Sequence, residues 1–147
     1  MKPARIVLPL ILLLPLLCGF LGPSPRIQPP ALVGVWVGKT DTRNVSKRMS
    51  HRTWQTIYYA DGALQTTHRN YYKDESMEEF IVKGTWWVQE GVLHTSIETS
   101  EQNGETEIYI KQYAYRLEHV DSARVDYRHI ESGYLYTSSA ATESTKF

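Results

Sequence analysis

From residue 32 onward, apolar and polar residues alternate in short runs that are separated by turn residues. Alternation with a period of two is typical of β-strands that bury one face. No segment keeps the spacing of an amphipathic helix over more than two turns. The pattern therefore predicts an all-β chain of about eight strands, over residues 32–40, 52–60, 63–72, 78–89, 92–100, 105–120, 123–130 and 134–140.

The connections between these runs are short and carry turn dipeptides. Asp61-Gly62, Glu90-Gly91 and Asn103-Gly104 each separate two strand-like runs, as in tight hairpins. Consecutive hairpins give a single antiparallel meander, and closing that sheet into a small barrel removes its exposed edges. Eight strands enclose an interior that side chains just fill, or one that holds a single small ligand. The sequence leaves both interiors open.

The N-terminal segment, residues 1–22, differs from the rest of the chain. A short positive start, Met1–Arg5, precedes an apolar run of about a dozen residues, which is the form of a secretory signal peptide. A retained membrane anchor is the alternative, although the run is short for a span and contains two prolines. Cys18 is either a lipid-modified cysteine or one more small apolar residue of the run. A Pro-rich linker (23–31), the barrel (32–141) and a polar tail (142–147) follow.

Composition excludes several classes of function. The formal net charge is zero, and no basic run with interleaved aromatics is present, so we expect no nucleic-acid partner. Cys18 is the single cysteine, so neither a disulfide framework nor a cysteine-based metal site is expected. Contact with a membrane is expected only through the N-terminal segment. The predicted location is outside the cytoplasm, in the periplasm or cell envelope.

Two adjacent tryptophans in the fourth run fall on opposite faces of their strand. Trp86 shares a face with Phe80 and Val82, so it is expected inside, where it either fills the core or forms a cavity wall. Trp87 lies on the other face, where it either marks a surface for a partner protein or is covered by the linker.

No group of residues converges on a catalytic arrangement. The chain has neither a Gly-x-Ser-x-Gly elbow nor a glycine-rich phosphate loop, so we expect no enzyme activity and no cofactor. His68 and His94 could approach each other across strands near Glu98, as zinc ligands do. Because they fall on faces read as polar or mixed, the favoured interpretation is solvated surface histidines and no metal.

The first strand carries a likeness to a known family. Gly34-Val35-Trp36 resembles the Gly-x-Trp signature on the first strand of lipocalins and related calycin barrels. The order of the later runs, TIYYADGALQTT, KGTWWVQEGVLH and YAYRLEHVDSARVDYRHIESGYLY, is similar to the short bacterial lipocalin-like modules. The resemblance implies a barrel with Trp36 near its closed end and a late arginine, Arg128 or Arg116, packed on that ring.

These observations predict an exported lipocalin-like protein of the cell envelope that binds a small apolar or amphipathic molecule. The alternative is a solid-core structural or interaction module with an envelope protein as its partner. The expected ligand-binding residues are aromatic and inward: Trp36, Tyr59, Phe80, Trp86, Tyr113 and Tyr115. The expected surface for a partner combines Trp87 with Arg43 and Arg48 of a basic first loop. The basic cluster of that loop, Arg43, Lys47, Arg48 and Arg52, is either solvated or in contact with an anionic ligand or envelope lipid.

Overall fold

The computed structural model describes residues 24–41 and 48–142, and these form a closed antiparallel barrel. Each strand pairs with the next in the chain, and β8 pairs back with β1. The all-β fold class and the single eight-stranded meander are thereby confirmed. The strands are β1 (Gly34–Asp41), β2 (Met49–Tyr58), β3 (Ala63–Tyr72), β4 (Met77–Gln89), β5 (Val92–Gln102), β6 (Glu105–Val120), β7 (Arg124–His129) and β8 (Leu135–Ala140).

Several predictions from the sequence concern segments that the structure does not describe. The predicted signal peptide, Arg43 and most of the polar tail lie outside the described residues. Over the described ranges, no helix is long and apolar enough to cross a membrane.

Two hairpins owe their register to left-handed turn residues. The φ angles are 54° and 76° at Glu90 and Gly91, and 54° and 81° at Asn103 and Gly104. Positive φ at both central residues is the type I′ geometry, whose twist matches that of the flanking strands. The turn dipeptides seen in the sequence therefore set the β4–β5 and β5–β6 hairpins.

The Pro-rich segment before β1 packs along the end of β4. Ile27 and Val88 exchange two backbone hydrogen bonds, with N–O distances of 3.0 and 2.7 Å. The Gln89 side-chain amide donates to the Ser24 carbonyl oxygen over 2.8 Å. Pairing between β3 and β4 stops at Thr85, so the last residues of β4 have no strand beside them on that side. The Pro-rich segment pairs with β4 there and covers this edge of the sheet.

The same segment closes one end of the barrel. Leu32 is 1% exposed, and its carbonyl oxygen accepts a hydrogen bond of 2.8 Å from the Trp36 indole N–H. Trp86 and Leu93, each 1% exposed, pack below in the same apolar cluster. Burial of each large apolar side chain contributes about 1.5–3 kcal/mol, so this packed half holds the fold together.

A glycine on β4 allows a close approach of β5. The β4–β5 register shifts between Lys83 and Gly84, as at a β-bulge. A Cβ atom added at Gly84 would lie 1.9 Å from the Ser96 carbonyl oxygen and 2.9 Å from the Ile97 Cα atom. Only glycine leaves room for this backbone contact, which tightens the barrel wall above the packed half.

Candidate ligand-binding cavity

The half of the barrel away from Leu32 contains a cavity of about 640 Å³. Its floor is formed by Tyr58, Leu64 and Val82, which also belong to the packed core. Its rim includes Gln102 and Glu107, which are exposed, so the cavity opens to solvent at this end. The interior is thus solid at one end and open at the other.

Ten aromatic rings line the cavity. They come from six of the eight strands and from the β7–β8 turn, so rings face the space from most directions. The set consists of Trp54, Tyr58, His68, Phe80, Tyr109, Tyr113, Tyr115, Tyr127, Tyr134 and Tyr136.

Contacts between neighbouring rings hold one wall in place. The centroid of the Tyr127 ring lies 5.4 Å from that of Tyr115 and 5.6 Å from that of Tyr136. The Trp54 indole N–H donates to the Ser138 hydroxyl over 3.0 Å, and the Tyr127 hydroxyl lies 3.1 Å from the same oxygen. Edge-to-face and offset packing of this kind gives the wall a defined shape before any ligand arrives.

The tyrosine wall is uncharged at neutral pH. Burial raises the pKa of Tyr127 to about 12. Burial also raises the pKa of Tyr58 and of Tyr115, and the neighbouring tyrosines add to the effect. These phenols therefore stay protonated and present apolar faces with hydroxyl groups that can donate or accept hydrogen bonds.

A small polar cluster interrupts the aromatic lining on β2 and β3. The Arg52 Nε–H donates to the Asn70 Oδ1 atom over 2.6 Å. The Arg52 guanidinium carbon lies 5.9 Å from the centroid of the Phe80 ring, and the His68 ring stacks on the same ring at 4.8 Å. The cluster places a cation and an imidazole beside one aromatic face.

His68 is half-buried and neutral at pH 7. Burial is the larger cause and the positive charge of Arg52 the smaller one, and together they lower the pKa of His68 to about 4. Its Nδ1 atom is buried and has no hydrogen-bond partner. A buried polar atom without a hydrogen-bond partner costs free energy, and Thr53 Oγ1 and Trp87 Nε1 are two further atoms of this kind among the described residues.

The charges around the cavity are divided between its interior and its rim. Arg52 is half-buried and forms no ion pair with any described residue. Glu78 and Glu107 also line the cavity, but both are exposed. The Glu78 carboxylate accepts a hydrogen bond from the Tyr72 hydroxyl at the β3–β4 end. A cation therefore lies inside an acidic rim.

The expected ligand-binding residues separate into three groups. Phe80, Tyr113 and Tyr115 line the cavity. Trp36 and Trp86 instead lie in the packed half, at 4% and 1% exposure. Tyr59 was expected to face inward, and this orientation is wrong: its side chain is 42% exposed. β2 ends at Tyr58, which takes the inward position, and Tyr59 already belongs to the turn.

Trp87, one of the residues expected to form a surface site, is covered by two neighbouring side chains. The Arg26 guanidinium lies 4.3 Å from the centroid of the Trp87 ring, and His94 stacks on that ring at 5.2 Å. Arg26 belongs to the linker, so the linker covers Trp87. This was the second of the two interpretations of Trp87 from the sequence. Arg48 is exposed at the start of β2.

Many cavity residues were not selected from the sequence, and three of them, His68, Arg52 and Trp54, show why. His68 was read as a solvated surface histidine, and that reading is wrong because the residue lines the cavity. Arg52 was assigned to the basic first loop and not to the interior, and Trp54 was not selected, although both alternate with Thr56 and Tyr58 on one face of β2. That alternation was the sequence signal that could have placed both residues inside the barrel. His94 stacks on Trp87, and the described residues contain no group of three potential metal ligands.

The barrel agrees with the family resemblance in outline. Trp36 lies at the closed end, while Arg128 pairs with Glu118 over 2.6 Å instead of packing on that tryptophan. In comparisons with known proteins, no family model matches the chain. No curated protein matches it either. What the structure establishes is therefore an eight-stranded closed antiparallel barrel with an aromatic cavity at one end.

Proposed function

We propose that this chain is an exported lipocalin-like binding protein of the cell envelope, whose barrel holds one small apolar or amphipathic molecule. The observation that carries the proposal is the cavity of about 640 Å³ at the open end of the barrel. Sites for small molecules typically have volumes of about 300–1,000 Å³, mostly apolar walls and a few convergent polar groups.

The lining supports binding of an organic molecule with a flat or apolar body. Rings such as Tyr115, Tyr127 and Trp54 offer large faces and lose little conformational freedom when a ligand packs on them. The polar cluster of Arg52, His68 and Asn70 supplies the hydrogen-bonding groups that would fix the orientation of a bound molecule.

Two further parts of the proposal rest on the sequence. Export rests on the signal-like residues 1–22, and kinship with lipocalin-like proteins rests on Gly34-Val35-Trp36 together with the order of the strands. The closed eight-stranded barrel is consistent with that kinship.

Native mass spectrometry of the full chain, purified from its own host, tests the proposal. We expect a mass above that of the polypeptide, and we expect denaturation to release the excess as a small molecule. A polypeptide without any added mass, and without uptake of hydrophobic fluorescent probes, would favour the solid-core alternative.

Two neighbouring positions on β5 provide a matched pair of variants. Ser100 lines the cavity, whereas Thr99 does not, and both side chains are half-buried. Ser100→Trp places a large ring in the cavity and should abolish the excess mass. Thr99→Trp adds the same ring elsewhere and should retain it. Equal ligand content in the two variants would show that the molecule binds outside the barrel.

A further inference from the structure

Arg52 places a cation in a partly enclosed space, and none of the described carboxylates pairs with it. Among the described residues, its Nε atom has a hydrogen-bond acceptor, in Asn70, and no carboxylate lies within ion-pair distance. Withdrawal of a charge from water costs free energy unless an opposite charge or hydrogen bonds compensate. The planar guanidinium fork suits a carboxylate, which it binds through two parallel hydrogen bonds.

His68 supplies a second group that lacks a partner in the same place. Its buried Nδ1 atom has no hydrogen-bond partner, and its ring stacks on Phe80, the ring that also lies beside Arg52. A neutral imidazole that carries its proton on Nδ1 would donate it to a ligand oxygen. In the strand register, His68 on β3 lies directly opposite Phe80 on β4, and Arg52 on β2 lies opposite Asn70, two residues further along β3.

We propose that the bound molecule is an amphipathic acid, whose carboxylate is held by Arg52 and His68 and whose apolar body packs against the tyrosine wall. This inference rests on the proposed function and adds the chemical class and the orientation of the ligand. The carboxylate would supply a counter-charge to Arg52 and a hydrogen-bond acceptor to His68, and the apolar body would fill the remainder of the space.

The two carboxylates of the rim do not compete with this assignment. Glu78 and Glu107 are exposed, so water and salt screen their charges. Arg52 is half-buried, where the effective dielectric constant is lower and its attraction for an anion is stronger.

A pair of fluorescent probes tests the assignment on the full chain. Pyrenebutyric acid and pyrenebutanol share the same aromatic body and differ in their end group, a carboxylate or a hydroxyl. We expect the protein to bind the acid about 10-fold or more tightly than the alcohol, as for a charge-assisted hydrogen-bonded pair. In Arg52→Gln this preference should fall to about 1-fold to 2-fold, and Arg52→Lys should keep part of it.

Arg69→Gln is the matched control, because it removes the same charge from the outer face of the neighbouring strand, where Arg69 pairs with Glu79 over 2.6 Å. It should retain the preference for the acid. Equal affinity of the native protein for acid and alcohol would overturn this inference and leave the proposed function intact. Failure of the native protein to bind either probe would overturn both. An unchanged preference in a folded Arg52→Gln variant would also overturn the inference.

A different observation concerns the outer edge of β6. Pairing with β7 begins at Tyr115, and the Ala114 carbonyl oxygen accepts the last hydrogen bond from this side, from the Ile130 N–H over 2.9 Å. Within the described chain no strand pairs with residues 105–113 along that edge, and residues 102–112 are all exposed. Ile108 and Ile110 are 82% and 78% exposed on this segment.

The edge is complementary to itself. If two copies pair antiparallel about Tyr109, each Ile108 lies opposite an Ile110, and each Glu107 lies opposite a Lys111. Opposite charges and apolar pairs placed directly across two antiparallel strands are stabilising. We infer that a second copy of this chain occupies the edge, so that β6 continues into β6 of its partner as one sheet.

Sedimentation of the full chain over a range of concentrations tests this pairing. We expect a monomer–dimer equilibrium in the native protein and a dimer at least 10-fold weaker in Lys111→Glu, in which like charges face each other. The charge exchange Glu107→Lys with Lys111→Glu should restore the dimer. A native protein that stays monomeric, or a folded Lys111→Glu that still dimerises normally, would overturn the inference.

Discussion

The titration of His68 provides a quantitative test of the cavity's electrostatics. Because burial and Arg52 lower the pKa of His68 from 6.5 to about 4, the unfolded chain takes up this proton at a higher pH than the folded chain. The stabilisation is fully present above pH 6.5 and is lost as the pH falls towards about 4. At about 1.4 kcal/mol for each pH unit, the loss is about 3 kcal/mol, and solvent screening of the half-buried ring reduces it to about 2 kcal/mol.

Urea unfolding of the native protein and of His68→Phe at a series of pH values measures this term. The phenyl ring keeps the stacking on Phe80 and cannot take up a proton. Subtracting one free energy of unfolding from the other cancels the contribution of the carboxylates that both proteins share. We expect the advantage of the native protein to fall by about 2–3 kcal/mol between pH 7 and pH 4. A difference that is constant within about 0.5 kcal/mol would refute the burial of a neutral His68.

Three further predictions concern the fold. Gly84→Ala should lower the free energy of unfolding by about 1–3 kcal/mol or more in urea titrations, because its Cβ atom would lie 1.9 Å from a backbone oxygen of β5. Leu93→Ala should cost about 2–5 kcal/mol in the same assay and leave probe affinity unchanged, since this residue belongs to the packed half. Ile27→Pro removes the N–H donor to Val88 and should cost about 1 kcal/mol, with tryptophan fluorescence that becomes easier to quench.

The period-two pattern was informative wherever one face of a strand was clearly apolar. On β4 and β5 it placed Val82, Trp86, Leu93 and Ile97 inside, and all four are buried. It was uninformative on β3, where the inward residues after Leu64 are polar, and this is why the orientation of His68 was misread.

Local sequence thus determined the strands, their turns and much of the packed half, because side-chain alternation and left-handed turn residues act over a few neighbouring residues. The tertiary structure decided where the interior is solid and where it is open. Closure of β8 on β1, the linker segment over Leu32 and the bulge at Gly84 involve residues distant in the chain. Their combined geometry turns Arg52 and polar residues of β3 towards one shared space, which no single strand's pattern could specify.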